Sequence, residues 1–168
     1  MIKIVQAGNA VLRQVAKPVL PSEIGSPKIK KILADMSTAL AGEEDGVAIA
    51  APQIGVSLRI FVISGRVYRQ NENSPLPADR VFINPTFKKL AKKKVVRDEG
   101  CLSVRPWYGK TKRAEKATVE ALDETGKKFT AGGSSFLAQI YQHEIDHLAG
   151  ILFNDHATEL REMAPEKK

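Results

Sequence analysis

The sequence predicts an α+β fold, in which mainly antiparallel short strands pack around a helix in the C-terminal half that carries an HExxH motif, with a second helix near the N-terminus. Two observations carry this. Apolar residues recur at helical spacing in only two segments, one towards each end of the chain. Between them lie short β-branched and aromatic runs bounded by Gly, Pro, Asn and Asp, with no regular alternation of strand and helix. At 168 residues, 43% hydrophobic and 27% charged, the chain can bury a real core and is neither low-complexity nor collagen-like. One catalytic domain over 1–168 is the simplest organisation, because no repeat or linker longer than a surface loop interrupts it.

The first helix is expected from Pro27. Ile29, Ile32, Leu33, Met36 and Leu40 fall on one face, Pro opens it and Gly42 follows it. Ser57–Ile63 and Val81–Asn84 read as strands, the second closed by Pro85, with Asn71–Asp79 a loop between them. Thr118–Leu122 and Lys128–Thr130 flank the turn-forming Asp123-Glu124-Thr125-Gly126, which predicts a hairpin. The last helix is expected over about Ser135–Leu148, with a serine N-cap before it and Gly150 after it.

A net charge of +7 favours phosphate-rich or acidic partners. A single cysteine cannot form an internal disulfide, so no oxidising compartment is required. No run reaches the ~20 apolar residues of a membrane helix, and the start lacks a signal-peptide stretch, so the expectation is a cytoplasmic chain.

Gln142-His143-Glu144-Ile145-Asp146-His147 sets two imidazoles one turn apart on one helix face, a geometry that can grip a metal ion. Phe136, Ile140, His143 and His147 share a stripe on the apolar side. Glu144 beside them can act as general base towards a water on the metal. The bland alternative is two core histidines, each bonded to backbone. A catalytic site normally takes three protein ligands and keeps one position open. In zincin peptidases the third ligand lies downstream, but the corresponding position here is Phe153, and His156 and Glu159 fit neither common spacing. Cys101, in Glu99-Gly100-Cys101-Leu102-Ser103-Val104, is the remaining candidate. Alone it reads as a small buried hydrophobe. Joined to two neutral imidazoles, its thiolate makes a coherent hydrolytic site, and the residue types alone favour zinc.

Three segments together resemble the peptide deformylase family: Gly46-Val47-Ala48-Ile49-Ala50-Ala51-Pro52-Gln53, then EGCLSV at 99–104, then QHEIDH at 142–147. The resemblance runs from the Leu12-Arg13 region to about Asp155. It implies removal of the N-formyl group from N-formylmethionine of new polypeptides by metal-assisted amide hydrolysis. It also implies Cys101, His143 and His147 as ligands of one divalent ion, Fe(II) natively, with nickel, cobalt or zinc able to occupy the same site. Glu144 becomes the acid/base, and Gln53 and the backbone N–H of Leu102 become donors to the tetrahedral oxyanion. Val47, Ala48 and Gly100 line the peptide groove, Glu99 supports the site, and Phe136 and Ile140 wall the methionine pocket. The implied partners are N-formylmethionyl nascent peptides and, transiently, the ribosome. No membrane or specific nucleic-acid sequence is expected, and the chain is expected to be a monomer.

Some residues depart from the family pattern. Ala48 stands where glycine is usual, Arg105-Pro106 follows EGCLSV, and Ser135 and Gln139 replace a glycine and an arginine. These alter the groove, not the ligands or the acid/base. Two rival readings remain: a zinc endopeptidase built on HExxH, and a basic ribosome- or RNA-associated protein. The second rests on the run Lys88–Lys94 and the Lys-rich C-terminus, which read equally as solvated surface, the run being a strand edge protected by lysines.

Overall fold

The structure is a computed structural model and describes residues 2–163; the Lys-rich C-terminus lies outside the described residues. Helix α1 spans Pro27–Ala41 and α2 spans Ser135–Leu148. The strands are β1 (Ala48–Ala50), β2 (Ile60–Ile63), β3 (Arg80–Leu90), β4 (Lys94–Gly100), β5 (Trp107–Ala114), β6 (Lys116–Leu122), β7 (Lys128–Ser134) and β8 (Thr158–Glu162). Five of them form an antiparallel sheet in the order β1-β2-β3-β6-β7, and β4-β5-β8 form a second, smaller one. The α+β architecture matches the expectation.

Strand β2 is apolar throughout because both of its faces are covered, which its two-residue side-chain period makes possible. Ile60 and Val62 point to the α1 side with Ile29, Met36 and Leu40, whereas Phe61 and Ile63 point to the α2 side with Phe82, Ile140 and Tyr141. Phe61 and Phe82 stack at 4.4 Å between centroids and seal the second layer. Helix α2 is thereby buried on most of its circumference, which accounts for its mixture of Ala, Ile, Tyr, Gln and Glu among buried positions.

Several boundaries differ from the sequence reading. The strand expected over Ser57–Ile63 starts only at Ile60. Strand β3 does not stop before Pro85 but continues to Leu90. A bulge absorbs the proline: the register shifts between Ile83 and Thr86, and Asn84 takes φ 50° with its side chain bonded to Val19 N and O at 2.8 Å each. The serine before α2 is Ser134, but its hydroxyl caps nothing. Ser135 takes φ 54°, a left-handed conformation that glycine reaches at less cost, which gives a physical reason for glycine at the matching position of the resembling family. The lysine run is not an edge strand over its whole length. Lys88 and Lys89 lie in β3, paired to β6, and the remainder turns into β4, the edge of the small sheet. Strands β1, β4, β5 and β8 carry no strong apolar alternation and were not predicted.

The close of α2 follows its glycine. Gly150 adopts φ 75°, and a methyl group there would lie 2.5 Å from the carbonyl oxygen of Arg13, whose guanidinium in turn bonds Gly150 O and Asp155. Gly150→Ala is therefore expected to destabilise the protein by about 2 kcal/mol, from the left-handed backbone and the clash together. Urea denaturation checks this, and an unchanged midpoint would show that the junction relaxes freely.

Candidate metal centre

Three separate elements converge on one cluster. Strand β4 ends at Gly100 and leads directly into a tight turn, closed by Val104 N–H donating to Cys101 O at 3.0 Å, so that Cys101 stands at the strand's end. Helix α2 supplies His143 and His147 from successive turns. A short 3-10 turn, Ala51–Ile54, supplies Gln53. The candidate ligand atoms of Cys101, His143 and His147 all lie within 4.8 Å of one another. Cys101 Sγ is 3.2 Å from His147 Nε2, and His143 commits Nδ1 to Glu99 Oε1 at 2.7 Å, which leaves its Nε2 for the cluster. A soft thiolate with two imidazoles suits a tetrahedral divalent ion with one open position. Glu144 Oε2, buried without a partner, lies at the same cavity. The donor set therefore fits a catalytic metal. Phe153, at the downstream position of the peptidase pattern, is buried and packs near the His143 ring, 6.5 Å between centroids. His156 instead faces Asp146 at 3.7 Å and Glu159 is exposed in β8, so the third donor comes from upstream.

Around the cluster lies a buried charge network that sequence reasoning missed. The Glu99 carboxylate accepts from Thr111 Oγ1 at 2.6 Å, Arg113 Nη2 at 2.6 Å and Nε at 3.1 Å, Gln139 Nε2 at 3.1 Å, and His143 Nδ1. The third arm of Arg113 reaches Asp146 Oδ2 at 2.6 Å. Burial pushes the Glu99 carboxyl up, but hydrogen bonds from His143 and Arg113 outweigh it and hold that carboxyl well below the ordinary carboxylate range. Glu144 has no such donors, and burial raises its carboxyl to about 7. The two acids near His143 are thus pushed apart, Glu99 held as an anion and Glu144 raised towards neutrality. Gln142, the residue before His143, clamps α2 to β5 by a paired bond with Ala114 N and O at 2.9 and 3.0 Å.

Gln53 is also held. Its Oε1 accepts from Ala50 N at 2.8 Å, which aims Nε2 at Ser103 Oγ, 3.1 Å away, and at Cys101 Sγ, 3.6 Å away. Ser103 sits inside EGCLSV, but nothing in the sequence marks it as the anchor of Gln53.

A cavity of ≈ 400 Å³ opens over the cluster. Of the residues singled out from sequence, Gln53, Glu99, Cys101, Leu102, His143 and Glu144 line it, as do Val47, Ala48, Gly100, Phe136 and Ile140; His147 is enclosed behind them. Ile140 is core and wall at once, whereas Phe136 is half exposed at the rim. Gly100 is covered by a side chain of this chain: a methyl group there would lie 2.4 Å from Tyr108 Cε1. Arg105, which also lines the cavity, grips Asp45 through two bonds of 2.6 and 2.7 Å.

A buried Cys/His/His cluster with an unpartnered glutamate beside an open cavity, set in an α+β frame, defines a metal-dependent hydrolase. The comparisons narrow this class. The profile of the polypeptide deformylase family matches residues 1–163. Peptide deformylase 2 of Clostridium acetobutylicum is 44% identical over 153 residues, covering 90% of this chain and 91% of that protein. Among solved structures, a peptide deformylase from Legionella pneumophila superposes with TM-score 0.82 at 38% identity, covering 95% of this chain and 87% of that one. The class I type b enzyme of Acinetobacter baumannii, bound to Met-Ala-Ser, gives TM-score 0.82 at 31% identity, covering 93% and 99%. The chain belongs to the polypeptide deformylase family.

Arg113→Met should leave the buried Glu99 carboxylate without its cation, costing about 3–5 kcal/mol in chemical denaturation. It should also weaken metal binding about 10–100-fold in a direct metal titration, because His143 loses its oriented support. Values equal to wild type would show the network idle. The Glu99 carboxyl titrates lower folded than unfolded, so its stabilisation is complete above its ordinary value of 4.5 and fades as the pH falls below it. A stability curve that stays flat through that acid range would contradict this.

Proposed function

We propose that the chain hydrolyses the formyl amide at the N-terminus of N-formylmethionyl peptides, with Cys101, His143 and His147 as ligands of one divalent ion, Fe(II) in its native state. The observation that carries the reading is the buried, unpartnered Glu144 carboxylate at a cavity shared with this thiolate–imidazole cluster. An ion held there supplies Lewis-acid polarisation and acidifies water at neutral pH. Zinc, nickel or cobalt suits the same donors.

The residues divide the work as follows. Glu144 takes a proton from the attacking water as its oxygen bonds to the formyl carbon, and later delivers that proton to the methionine nitrogen. The C–N bond then breaks to release formate and a free amino terminus. A carboxyl raised to about 7 can do both near neutral pH. The Leu102 N–H and the Gln53 amide, the latter fixed from its oxygen side, donate to the oxygen that becomes negative in the tetrahedral stage. Ile140 and Phe136 offer an apolar wall for the methionine side chain beside His143. Val47, Ala48 and Gly100 form the narrow walls along which the peptide backbone runs, and Glu99 orients His143. The Met-Ala-Ser bound to the Acinetobacter baumannii relative begins with the residue this pocket would take.

We place this activity in the cytoplasm, with the chain acting as a monomer on polypeptides leaving the ribosome. No helix among the described residues is long and apolar enough to cross a membrane. The exposed lysines between β3 and β4 favour brief, salt-sensitive contact with ribosomal phosphates.

The test is turnover of a formyl-Met-Ala-Ser peptide by anaerobically prepared, Fe(II)-loaded protein. Glu144→Gln should lower kcat by about 10²–10⁴ with metal content unchanged, since only the proton-transfer group is lost. Gln53→Ala should lower kcat by about 10²–10³. No formate release by correctly metallated wild type would sink the assignment.

A further inference from the structure

We infer that the N-terminal stretch Val5–Ala7 holds the oxyanion donors in register, with Gln6 as a positioning residue for the Leu102 N–H. This rests on the reading of Leu102 and Gln53 as those donors.

The turn after β4 has its carbonyls tied one by one. Cys101 O accepts from Val104 N–H at 3.0 Å, Leu102 O accepts from Gln6 Nε2 at 2.9 Å, and Ser103 O accepts from Ala7 N–H at 2.7 Å. Ser103 N–H is spent on Cys101 Sγ at 3.4 Å. The Leu102 N–H is left without an acceptor among the described residues, in a residue that lines the cavity. The Leu102 N–H lies in the peptide plane of the Cys101 carbonyl, which Val104 N–H holds, and Gln6 holds the adjoining plane through Leu102 O, so the two bonds together fix the backbone on both sides of the Leu102 Cα. Gln6 Oε1 also accepts from Arg105 N–H at 3.4 Å, so the same amide spans the turn. One residue earlier, Val5 N–H donates to Gln53 O at 2.9 Å. Val5 and Gln6 therefore bond the backbones of the two donor residues and Ala7 that of the adjoining Ser103, although Gln6 and Leu102 are 96 residues apart in sequence.

Gln6 is exposed, so it contributes little to the core. Oxyanion donors, however, act only when aimed at the place where charge develops. Loosening one such donor affects the transition state and leaves ground-state binding nearly alone.

The experiment measures kcat and KM for formyl-Met-Ala-Ser with the metallated full chain as wild type, Gln6→Met, Gln6→Glu and Gln53→Ala, together with thermal midpoints and metal content. Gln6→Met keeps the side-chain length without any of the amide's hydrogen bonds, to Leu102 O, Arg105 N–H and Ile4 O. It should lower kcat about five- to tenfold with KM within about twofold, a fraction of the loss from deleting a donor outright. Gln6→Glu, which sets a carboxylate oxygen against Leu102 O, should fall at least as far. Wild-type kcat in Gln6→Met beside a crippled Gln53→Ala would overturn the inference alone. A fall of kcat accompanied by a raised KM and a lowered thermal midpoint would reduce Gln6 to a structural contact and overturn it too. Wild-type kcat in Gln53→Ala would overturn the donor reading and the inference with it.

Discussion

The Glu99 carboxylate is the constraint on which the rest of the site depends. Placing an anion where its side chain is 4% exposed is costly unless nearly every lone pair finds a donor. Here the donors come from β5, through Thr111 and Arg113, and from α2, through Gln139 and His143. One carboxylate at the end of β4 thus fixes how the small sheet meets the helix. It also selects the tautomer of His143 and leaves the nitrogen facing Cys101 free to ligate.

The same arrangement separates two roles among the acids. Glu99 and Glu144 are both buried, but only Glu99 sits among cationic and polar donors. Glu144 is close to His143 in sequence and points to the cavity with one oxygen unpartnered. Environment rather than residue type therefore holds one carboxyl as an anion and raises the other. Gln139 fits this balance. Where the resembling family commonly has arginine, this chain places a neutral amide on Glu99 and Asp98 O, so Arg113 is the guanidinium on Glu99.

Arg105 and Ala48, two further departures, line the cavity. Arg105 does not open the rim but closes on Asp45 and approaches Tyr108 Oη at 3.2 Å, linking the turn after β4 to the segment before β1. Tyr108 covers Gly100, so that glycine is required by a neighbour in the same chain. Ala48 belongs to the core layer beneath α2 as well as to the cavity wall, and its methyl is accommodated by the packing behind it.

The sequence by itself determined the two helices, the hairpin of β6 and β7, the histidine pair on α2 and the family. Each rests on a local period or a contiguous motif: His143, Glu144 and His147 fall within five residues, and an α-helix fixes their faces without help from elsewhere. Tertiary structure alone decided the partners of those motifs. Arg113 follows the exposed Lys112 in β5, and nothing local shows that it faces inward to Glu99 and Asp146. Ser103 and Gln6 were invisible for the same reason, since their bonds to Gln53 and Leu102 join residues far apart in the chain. Pro85 read as a strand end because its missing N–H forbids ordinary pairing, and only the bulge at Asn84 lets β3 run through it. Short-range periodicity specifies what a segment is, but the satisfaction of a buried charge depends on which distant segments the fold brings to it.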